Sequence, residues 1–367
     1  MLRMLLGACS LTLLCGISYS QVDSTSLEGT GVDKEIMDSL GLVNPEVQKK
    51  YNAGVSALNG DKFMEAVQRF TECLLIDDQY VDAYFNRGMA FKGLKKVDDG
   101  VKDFDKTIEL DPGRHDAAFM KAQMFSEAER FDDAIEAYLQ ASKMNATESK
   151  YDYYRGVLLF QQEKYEEAIQ AYSVAIARQP NYAYAYNDRG SCKLQMEDLD
   201  GAIADYKAAT KHDPNLSFAY NNLGSAYRLK KDYASADRWY TEAIKKKKDY
   251  YIAYNNRGAS KLENGKLDEA LTDFKMALEL NPDYAFAHNN KAYVFIQQEK
   301  WQDALAACDK AISIDGEYME AYFNRGIARE MLKDVEGACA DWEDAFALGS
   351  ENAEQYVNGP ICGGSGK

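Results

Sequence analysis

Asparagine is the residue whose spacing in this sequence points most directly to binding chemistry. A carboxamide offers both a donor and an acceptor, so a regular series can pair with the N–H and C=O groups of an extended peptide of any sequence. One series recurs at intervals of 34 residues, and a second series occupies the position just before it. The first consists of Asn222, Asn256, Asn290 and Asn324, and the second of Asn187, Asn221, Asn255 and Asn289. Aromatic residues at the same interval would add apolar contacts, namely Tyr184, Phe218 and Phe286.

The asparagines belong to a repeating unit that residues 251–284 represent. Apolar and small residues lie at helical spacing over residues 254–261 and again over residues 267–278, which predicts two amphipathic helices. Asn264-Gly265-Lys266 is the predicted turn between them. Asn281-Pro282 ends the second helix, because proline cannot continue a helix and the residue before it avoids the helical region.

Small residues keep this register through nine units without an insertion, when Tyr251 is counted as position 1. They recur at positions 8, 20 and 27, where a larger side chain would hold two helix axes apart. Position 8 is occupied by Gly54, Gly88, Ala122, Gly156, Gly190, Gly224, Gly258, Ala292 and Gly326. The sequence therefore predicts nine repeats over residues 46–352.

The chain resembles a tetratricopeptide-repeat protein. The pattern that carries this resemblance is a small residue at position 8, alanine at 20 and 27, aromatic residues at 4, 17 and 24, and occasional proline at 32. This resemblance implies an all-α fold, a right-handed α-solenoid of antiparallel helix pairs, and a non-catalytic role in binding other proteins. It also implies that positions 2, 5, 6, 9 and 13 of each first helix line a concave groove. Lys50, Ala118 and Asp152 depart from the aromatic pattern at position 4, and a local irregularity is expected in the third and fourth repeats.

Two interpretations of the asparagines remain open at this stage. They either hold the backbone of a partner peptide or merely solvate the groove. Members of the family that bind chaperone C-termini through a carboxylate clamp carry lysine at position 5 and asparagine at position 9, and every unit of this chain lacks both. The broader alternative is a structural or assembly factor of the cell envelope or secretion apparatus that uses its outer faces and edges.

Comparison of the repeats also predicts an ion pair. Aspartate occurs at position 23 in four repeats, and each of these has arginine at position 7. The pairs are Arg87 with Asp103, Arg189 with Asp205, Arg257 with Asp273, and Arg325 with Asp341. We expect each pair to join the two helices of its own repeat, and the alternative is that the arginines face an acidic ligand.

Catalytic residue types show no arrangement of this kind. The sequence lacks HExxH, GxSxG, CxxC and a glycine-rich phosphate loop, and His115, His212 and His288 fall at different repeat positions. His288 takes the place of tyrosine at position 4, which predicts a core ring. The expectation is a protein without enzymatic activity, metal or cofactor.

The chain opens with residues 1–20, where Arg3 precedes an apolar run and Ser18 and Ser20 stand at the positions that a signal peptidase reads. This predicts export to the periplasm or the outside of the cell, with cleavage after Ser20 and no membrane insertion afterwards. A lipoprotein-like Leu6-Gly7-Ala8-Cys9 has only eight residues up to Ala8, too few for an apolar run before the cysteine. Residues 21–45 are polar and predict a flexible linker, with Asn44-Pro45 as a helix start.

The charge of the chain limits the classes of partner that it can bind. The net charge is −16, which disfavours nucleic acid and anionic membranes, because phosphate binding needs clustered basic residues. The run from Lys245 to Lys248 closes a second helix, where cations suit the helix dipole. Oligomeric state has no sequence signal.

The cysteines beyond the signal are scattered, which predicts buried apolar side chains and no disulfide framework. They are Cys73, Cys192, Cys308, Cys339 and Cys362. After the ninth repeat, a short helix capped by Ser350 is predicted to lay Ala353, Tyr356 and Val357 over the last repeat. Within the segment 353–367, the glycine-rich end from Pro360 to Lys367 is expected to be disordered.

Overall fold

The computed structural model of the protein describes residues 44–362, and the predicted signal segment and residues 21–43 of the predicted linker lie outside this part. The chain divides into two compact units at Asp103 and Phe104. Helices account for the regular structure of the described part, and they alternate between a first and a second helix in each repeat. They are α1 Pro45–Asn59, α2 Phe63–Ile76, α3 Val81–Gly93, α4 Val97–Leu110, α5 His115–Glu127, α6 Phe131–Met144, α7 Ser149–Gln161, α8 Tyr165–Arg178, α9 Ala183–Gln195, α10 Leu199–His212, α11 Ser217–Leu229, α12 Tyr233–Lys246, α13 Tyr251–Glu263, α14 Leu267–Leu280, α15 Ala285–Gln297, α16 Trp301–Ile314, α17 Met319–Met331, α18 Val335–Ala347 and α19 Glu351–Val357.

This order is an all-α repeat solenoid, and the predicted fold class is confirmed. The first helix starts as predicted, because Asn44 accepts a hydrogen bond from the Glu46 N–H at 2.9 Å and Pro45 occupies the first turn. No helix among residues 44–362 is long and apolar enough to cross a membrane.

The turn between the two helices of a repeat has one fixed backbone feature. The residue at position 15 adopts a positive φ in every repeat, and in the seventh repeat it is Gly265 with φ of +76°. The other repeats place a non-glycine residue there, namely Asp61, Lys95, Glu129, Glu163, Glu197, Lys231, Glu299 and Lys333. The sequence revealed the turn only where glycine marked it.

The small residue at position 8 allows the two helices of a repeat to approach closely. In the seventh repeat, a Cβ added to Gly258 would lie 2.7 Å from the Phe274 ring, which is fully buried. The eighth repeat solves the same problem differently, because Ala292 packs against the smaller Cys308. In the eighth repeat, the smaller side chain at position 24 thus leaves room for the alanine methyl at position 8.

Each of the four predicted arginine–aspartate pairs forms between the helices of its own repeat. The Arg257 guanidinium donates from Nε and Nη2 to the two Asp273 oxygens at 2.9 and 2.6 Å, and the Asp273 side chain is 3% exposed. The other three pairs also have two or more hydrogen bonds. The remaining Nη1 of each arginine reaches position 25 of the preceding repeat, on Thr71, Ser173, Thr241 and Asp309.

A buried polar cluster occurs where the third and fourth repeats depart from the pattern. Asp152 stands in the place of an aromatic residue at position 4 and is 1% exposed. It pairs with Arg178 at 2.7 Å and Arg155 at 3.3 Å, and the Ser142 hydroxyl donates to it. At Asp152, charged hydrogen bonds thus replace the packing of a ring, and the irregularity of the superhelix expected in the third and fourth repeats stays a prediction.

The cysteine prediction is correct for three residues and wrong for two. Cys73, Cys192 and Cys308 are free and buried, and burial raises their thiol pKa to about 11, about 12 and about 12. Cys339 and Cys362, however, form a disulfide with a Cα–Cα distance of 5.5 Å. Cys339 lies on a half-exposed side of α18, so its thiol reaches the segment that follows α19.

The C-terminal cap is confirmed in its packing and corrected in its details. Tyr356 of α19 packs against Trp342 at 4.5 Å between ring centroids and contacts Phe323 edge to face at 5.3 Å. Ser350 stands at the start of α19, but its side chain makes no capping hydrogen bond. Residues 360–362 are tied down through Cys362, and residues 363–367 of the predicted disordered tail lie outside the described part.

Candidate peptide-binding site

The predicted asparagines lie together on the first helices α9, α11, α13, α15 and α17, and they form hydrogen bonds with one another. Each asparagine at position 6 donates from Nδ2 to the Oδ1 of the position 5 asparagine in the preceding repeat. The distances are 3.1 Å for Asn222 to Asn187, 3.1 Å for Asn256 to Asn221, 2.9 Å for Asn290 to Asn255 and 2.8 Å for Asn324 to Asn289. We call this set of eight residues the amide ladder.

The two positions of the amide ladder differ in accessibility. The position 5 residues Asn187, Asn221, Asn255 and Asn289 are buried, and Asn324 is buried as well. Asn222, Asn256 and Asn290 are half-buried and are therefore the members that a partner can reach. Asn222 and Asn256 also accept a hydrogen bond from the preceding residue, from Asn221 Nδ2 at 3.4 Å and from Asn255 Nδ2 at 3.5 Å. Each carboxamide has two donor hydrogens and two acceptor lone pairs, so these bonds still leave part of its capacity for a ligand.

The amide ladder begins at an acid in the fifth repeat. Asp188 occupies position 6 there and accepts hydrogen bonds from Asn187 Nδ2 at 2.9 Å and from the Tyr153 hydroxyl at 2.9 Å. Burial raises the pKa of Asp188, and these two hydrogen bonds oppose that effect. Position 6 therefore makes contacts between neighbouring repeats along this face, both where it is aspartate and where it is asparagine.

The three predicted aromatic residues lie at position 2, beside the ladder. Tyr184 is 45% exposed and its ring centroid is 5.8 Å from that of Phe218, whereas Phe218 and Phe286 are half-buried. Phe286 belongs to a row of rings that sequence reasoning did not identify. Its neighbours are Tyr284 at 5.5 Å and Tyr318 at 4.9 Å, and Tyr284 in turn lies 4.9 Å from Tyr251.

Tyrosine at position 34 was the signal for this aromatic row, since it recurs at Tyr250, Tyr284 and Tyr318. The hydroxyl of Tyr318 also contacts the amide ladder, because it accepts a hydrogen bond from Asn289 Nδ2 at 3.3 Å. Burial raises the pKa of Tyr318, so its phenol remains protonated at neutral pH. The face formed by α9 to α17 thus combines amides with rings, and its charged residues at these positions are the acids Asp188 and Glu320.

The three histidines do not meet one another. His115 bonds to the Tyr151 hydroxyl at 2.7 Å, and His212 stacks on Tyr186. His288 is a half-buried ring whose Nε2 lies 2.9 Å from the Pro282 carbonyl oxygen. No three histidine, cysteine or acidic side chains within residues 44–362 are grouped so that they could bind a metal ion.

The fold and this polar and aromatic face define a helical-repeat protein of the kind that binds other proteins. Two tetratricopeptide repeat models match the chain, one over residues 85–141, 119–183 and 187–251 and the other over residues 251–284, and together these residues make up more than half of the chain. The chain belongs to the tetratricopeptide repeat family. This fold is generally a non-catalytic interaction scaffold.

The chain is similar to several solved structures, and the first of the following supports the fold. A tetratricopeptide repeat protein from Parabacteroides merdae ATCC 43184 is 18% identical, with a TM-score of 0.57 over 66% of this chain and 97% of that one. MamA protein is 26% identical, with a TM-score of 0.40 over 47% of this chain and 94% of its own. YrrB, described as a TPR protein with an unusual peptide-binding site, is 19% identical, with a TM-score of 0.41 over 52% of this chain and 98% of its own. No curated protein matches the chain.

Proposed function

We propose that this protein binds an extended segment of a partner protein along the face of α9, α11, α13, α15 and α17. The observation that carries the proposal is the partly accessible row of Asn222, Asn256 and Asn290, held in a fixed orientation by the buried position 5 amides. A regular row of oriented amides suits the regular backbone of an extended peptide. Fixing the donors in advance lowers the entropy lost on binding.

The aromatic residues at position 2 supply the apolar part of the proposed site. Tyr184 is exposed and Phe218 and Phe286 are half-buried, so part of each ring is open to a partner, and aromatic side chains contribute strongly to binding at protein interfaces. Amide contacts to the backbone select an extended conformation, whereas the rings select side chains on the peptide. Apolar residues at alternating positions of the partner would therefore be preferred.

The test uses variants that leave the amide ladder intact. Proteins that co-purify with the wild type are identified by mass spectrometry, and their binding segments are mapped on peptide arrays. Replacement of Tyr184, Phe218 and Phe286 by alanine should weaken binding of the mapped peptide at least about tenfold, since each ring buried at an interface contributes 1 kcal/mol or more. Val174→Ala with Leu280→Ala is the matched control, because both residues are exposed on second helices.

Combined replacement of Asn222, Asn256 and Asn290 by alanine tests the amides themselves. Circular dichroism must first show that the helices remain, because each change leaves a buried asparagine oxygen without its donor. If the folded triple variant and the aromatic variant both retain the captured partners undiminished, the face is not the site. The assembly-factor alternative, with large folded partners bound at outer faces or edges, would then replace it.

We also propose that the protein is exported and cleaved after Ser20. Ser18 and Ser20 behind the apolar run support this, and so does the Cys339–Cys362 disulfide, because disulfides persist mainly in oxidising compartments. N-terminal sequencing of the native protein should start at Gln21. A start at Met1 would refute cleavage, and a lipid-modified cysteine would indicate an anchored lipoprotein instead.

A further inference from the structure

Asp188 differs from the buried aspartates of the repeats, because no cation within residues 44–362 pairs with it. Five aspartates of this part of the chain are buried, and each forms an ion pair with an arginine at 2.6 to 2.8 Å. They are Asp103, Asp152, Asp205, Asp273 and Asp341. Asp188 is half-buried on α9, and its partners are the neutral donors Asn187 and Tyr153. A carboxylate removed from water without a cation costs free energy, and this burial raises the Asp188 pKa.

The contacts that Asp188 makes do not require a charge, because asparagine makes equivalent contacts in other repeats. Asn86 donates from Nδ2 to the Tyr51 hydroxyl at 2.8 Å, and these two residues occupy the same repeat positions as Asp188 and Tyr153. Asn222 accepts a hydrogen bond from the residue before it at 3.4 Å, as Asp188 does. Packing between repeats therefore does not explain why position 6 of the fifth repeat is charged.

Aromatic rings lie beside Asp188 on the side of the fourth repeat. The ring centroid of Tyr153 is 4.9 Å from that of Tyr182 and 5.6 Å from that of Tyr154, and all three rings are half-buried. Burial raises the pKa of Tyr153 and of Tyr182, and the charge of Asp188 adds to this effect. Both phenols thus lie within the electric field of the carboxylate. Asp188 stands where these rings end and the amide ladder begins.

A carboxylate next to aromatic rings is complementary to an ammonium or guanidinium group. A carboxylate accepts about four hydrogen bonds, and Asp188 accepts two, so acceptor sites remain for a further donor. The neighbouring repeats already show a cation on a ring of this face, since Lys150 Nζ lies 5.2 Å from the Phe119 centroid. Lys150 pairs with Glu148 at 3.5 Å and leaves Asp188 to a cation from elsewhere.

We propose that Asp188, together with the rings of Tyr153, Tyr154 and Tyr182, binds a lysine or arginine side chain of the partner segment. This inference rests on the proposed peptide binding and adds a register to it. The cationic residue of the partner lies at the fifth repeat, and the rest of the segment extends along the amide ladder. A hydrogen bond from a cation to this partly desolvated carboxylate is stronger than one between neutral groups.

A peptide library without terminal charges tests the proposal. Its N-acetylated and C-amidated members carry lysine, arginine, norleucine or glutamate at one position in turn and vary at the others. The full chain should prefer lysine or arginine to norleucine at one position by at least about tenfold, because norleucine keeps the four-carbon side chain of lysine without its charge. Asp188→Asn should lose this preference and keep the preference for apolar residues at other positions. Asp200→Asn, exposed on α10 of the same repeat, removes the same charge and should keep both preferences.

The stability of Asp188→Asn separates a binding role from a structural one. Because Asn86 makes the equivalent contact in the second repeat, the variant should unfold at the same denaturant concentration as the wild type or at a higher one. A lower midpoint would show that the carboxylate holds the repeats together and would overturn the proposal.

The library results have equally definite consequences. The proposal fails if the wild type retains lysine and norleucine peptides equally at every position, or if Asp188→Asn keeps the preference for cations. In both cases the peptide-binding face itself stands as long as replacement of Tyr184, Phe218 and Phe286 by alanine weakens retention of the peptides. If that replacement has no effect, the proposed function fails, and this inference fails with it.

Discussion

At Gly265, the free-energy cost of a left-handed backbone conformation can be measured without a change in packing. A Cβ at this position would meet nothing within 4 Å, so Gly265→Ala changes only the conformational preference at φ of +76°. The free energy of unfolding should fall by about 1 kcal/mol. Chemical denaturation measures this loss, and Gly316→Ala is the control. A Cβ at Gly316 would also meet nothing within 4 Å, and the φ of Gly316 is outside the left-handed range. Equal stability of the two variants would contradict the prediction.

His288 gives one repeat contact a dependence on pH. Tyr220 and Tyr322 donate at the same repeat position to the carbonyl oxygens of Pro214 and Gly316, so His288 takes over a tyrosine contact. Burial lowers the pKa of His288, Lys291 and Lys310 lower it further, and the Pro282 carbonyl and Asp283 act in the opposite direction. The unfolded chain therefore binds the proton more readily, and stability should fall as pH drops below about 6.5.

The variant His288→Tyr keeps a hydroxyl donor for the Pro282 carbonyl and removes the titration. Thermal unfolding of the two proteins between pH 8 and pH 5 should show a difference in melting temperature that grows in favour of the variant below about pH 6.5. Other titrating groups affect both proteins equally and cancel in the comparison. Curves that stay parallel over this range would show that His288 does not titrate with unfolding.

At the scale of helices, the arginine at position 7 joins three elements. Arg257 of α13 binds Asp273 of α14 and, through Nη1, the Thr241 hydroxyl of α12 at 2.9 Å. Arg257→Ala should lower the free energy of unfolding by about 3 kcal/mol, because Asp273 would stay buried with Lys261 as its one remaining cation. Thermal or chemical denaturation measures the loss. Arg238→Ala, an exposed arginine on α12, is the control and should change stability by less than about 0.5 kcal/mol.

These pairs also show what a sequence of repeats can reveal. The pairing of Arg257 with Asp273 was predictable because both residues vary together among repeats in one register. The third contact, to position 25 of the preceding repeat, was missed because each unit was compared only with itself. In each of these four cases, a hydroxyl or acidic residue at position 25 is followed by arginine at position 7 of the next repeat. The position 25 residues are Thr71, Ser173, Thr241 and Asp309, so the sequence did contain the signal for this contact.

The candidate site was predictable in its residues and not in its internal bonds. The 34-residue spacing placed Asn222, Asn256 and Asn290 on one face. It gave no information on which amide would be buried, because that depends on how closely neighbouring first helices approach. The disulfide between Cys339 and Cys362 was missed for a related reason: Cys362 lies beyond the last repeat and follows no period.

For the molecule as a whole, the closure of the C-terminal end of the solenoid is a distinct feature. The last repeat is covered by α19, which brings Tyr356 onto Trp342 and is followed by Cys362 in its disulfide with Cys339. Without such a cover, the apolar side of a terminal repeat would face water, and repeats depend on their neighbours for stability. The covalent link therefore holds the cap at the end of the array.

Loss of this link should loosen the cap first. The disulfide spans 23 residues of sequence, and closing a loop of this order stabilises the folded state by about 3 kcal/mol in the chain-entropy model. Hydrogen exchange of α18 and α19 should accelerate in Cys339→Ser with Cys362→Ser, while α9 to α15 keep their protection because repeats transmit stability mainly to their neighbours. Reductant should reproduce the effect in the wild type and leave the double variant unchanged. Within residues 44–362, the three other cysteines are buried and free, so this part of the chain supplies no other disulfide for the reductant to break. If the wild type exchanges at the same rate with and without reductant, the cap is held by Tyr356 and Ala353 packing alone.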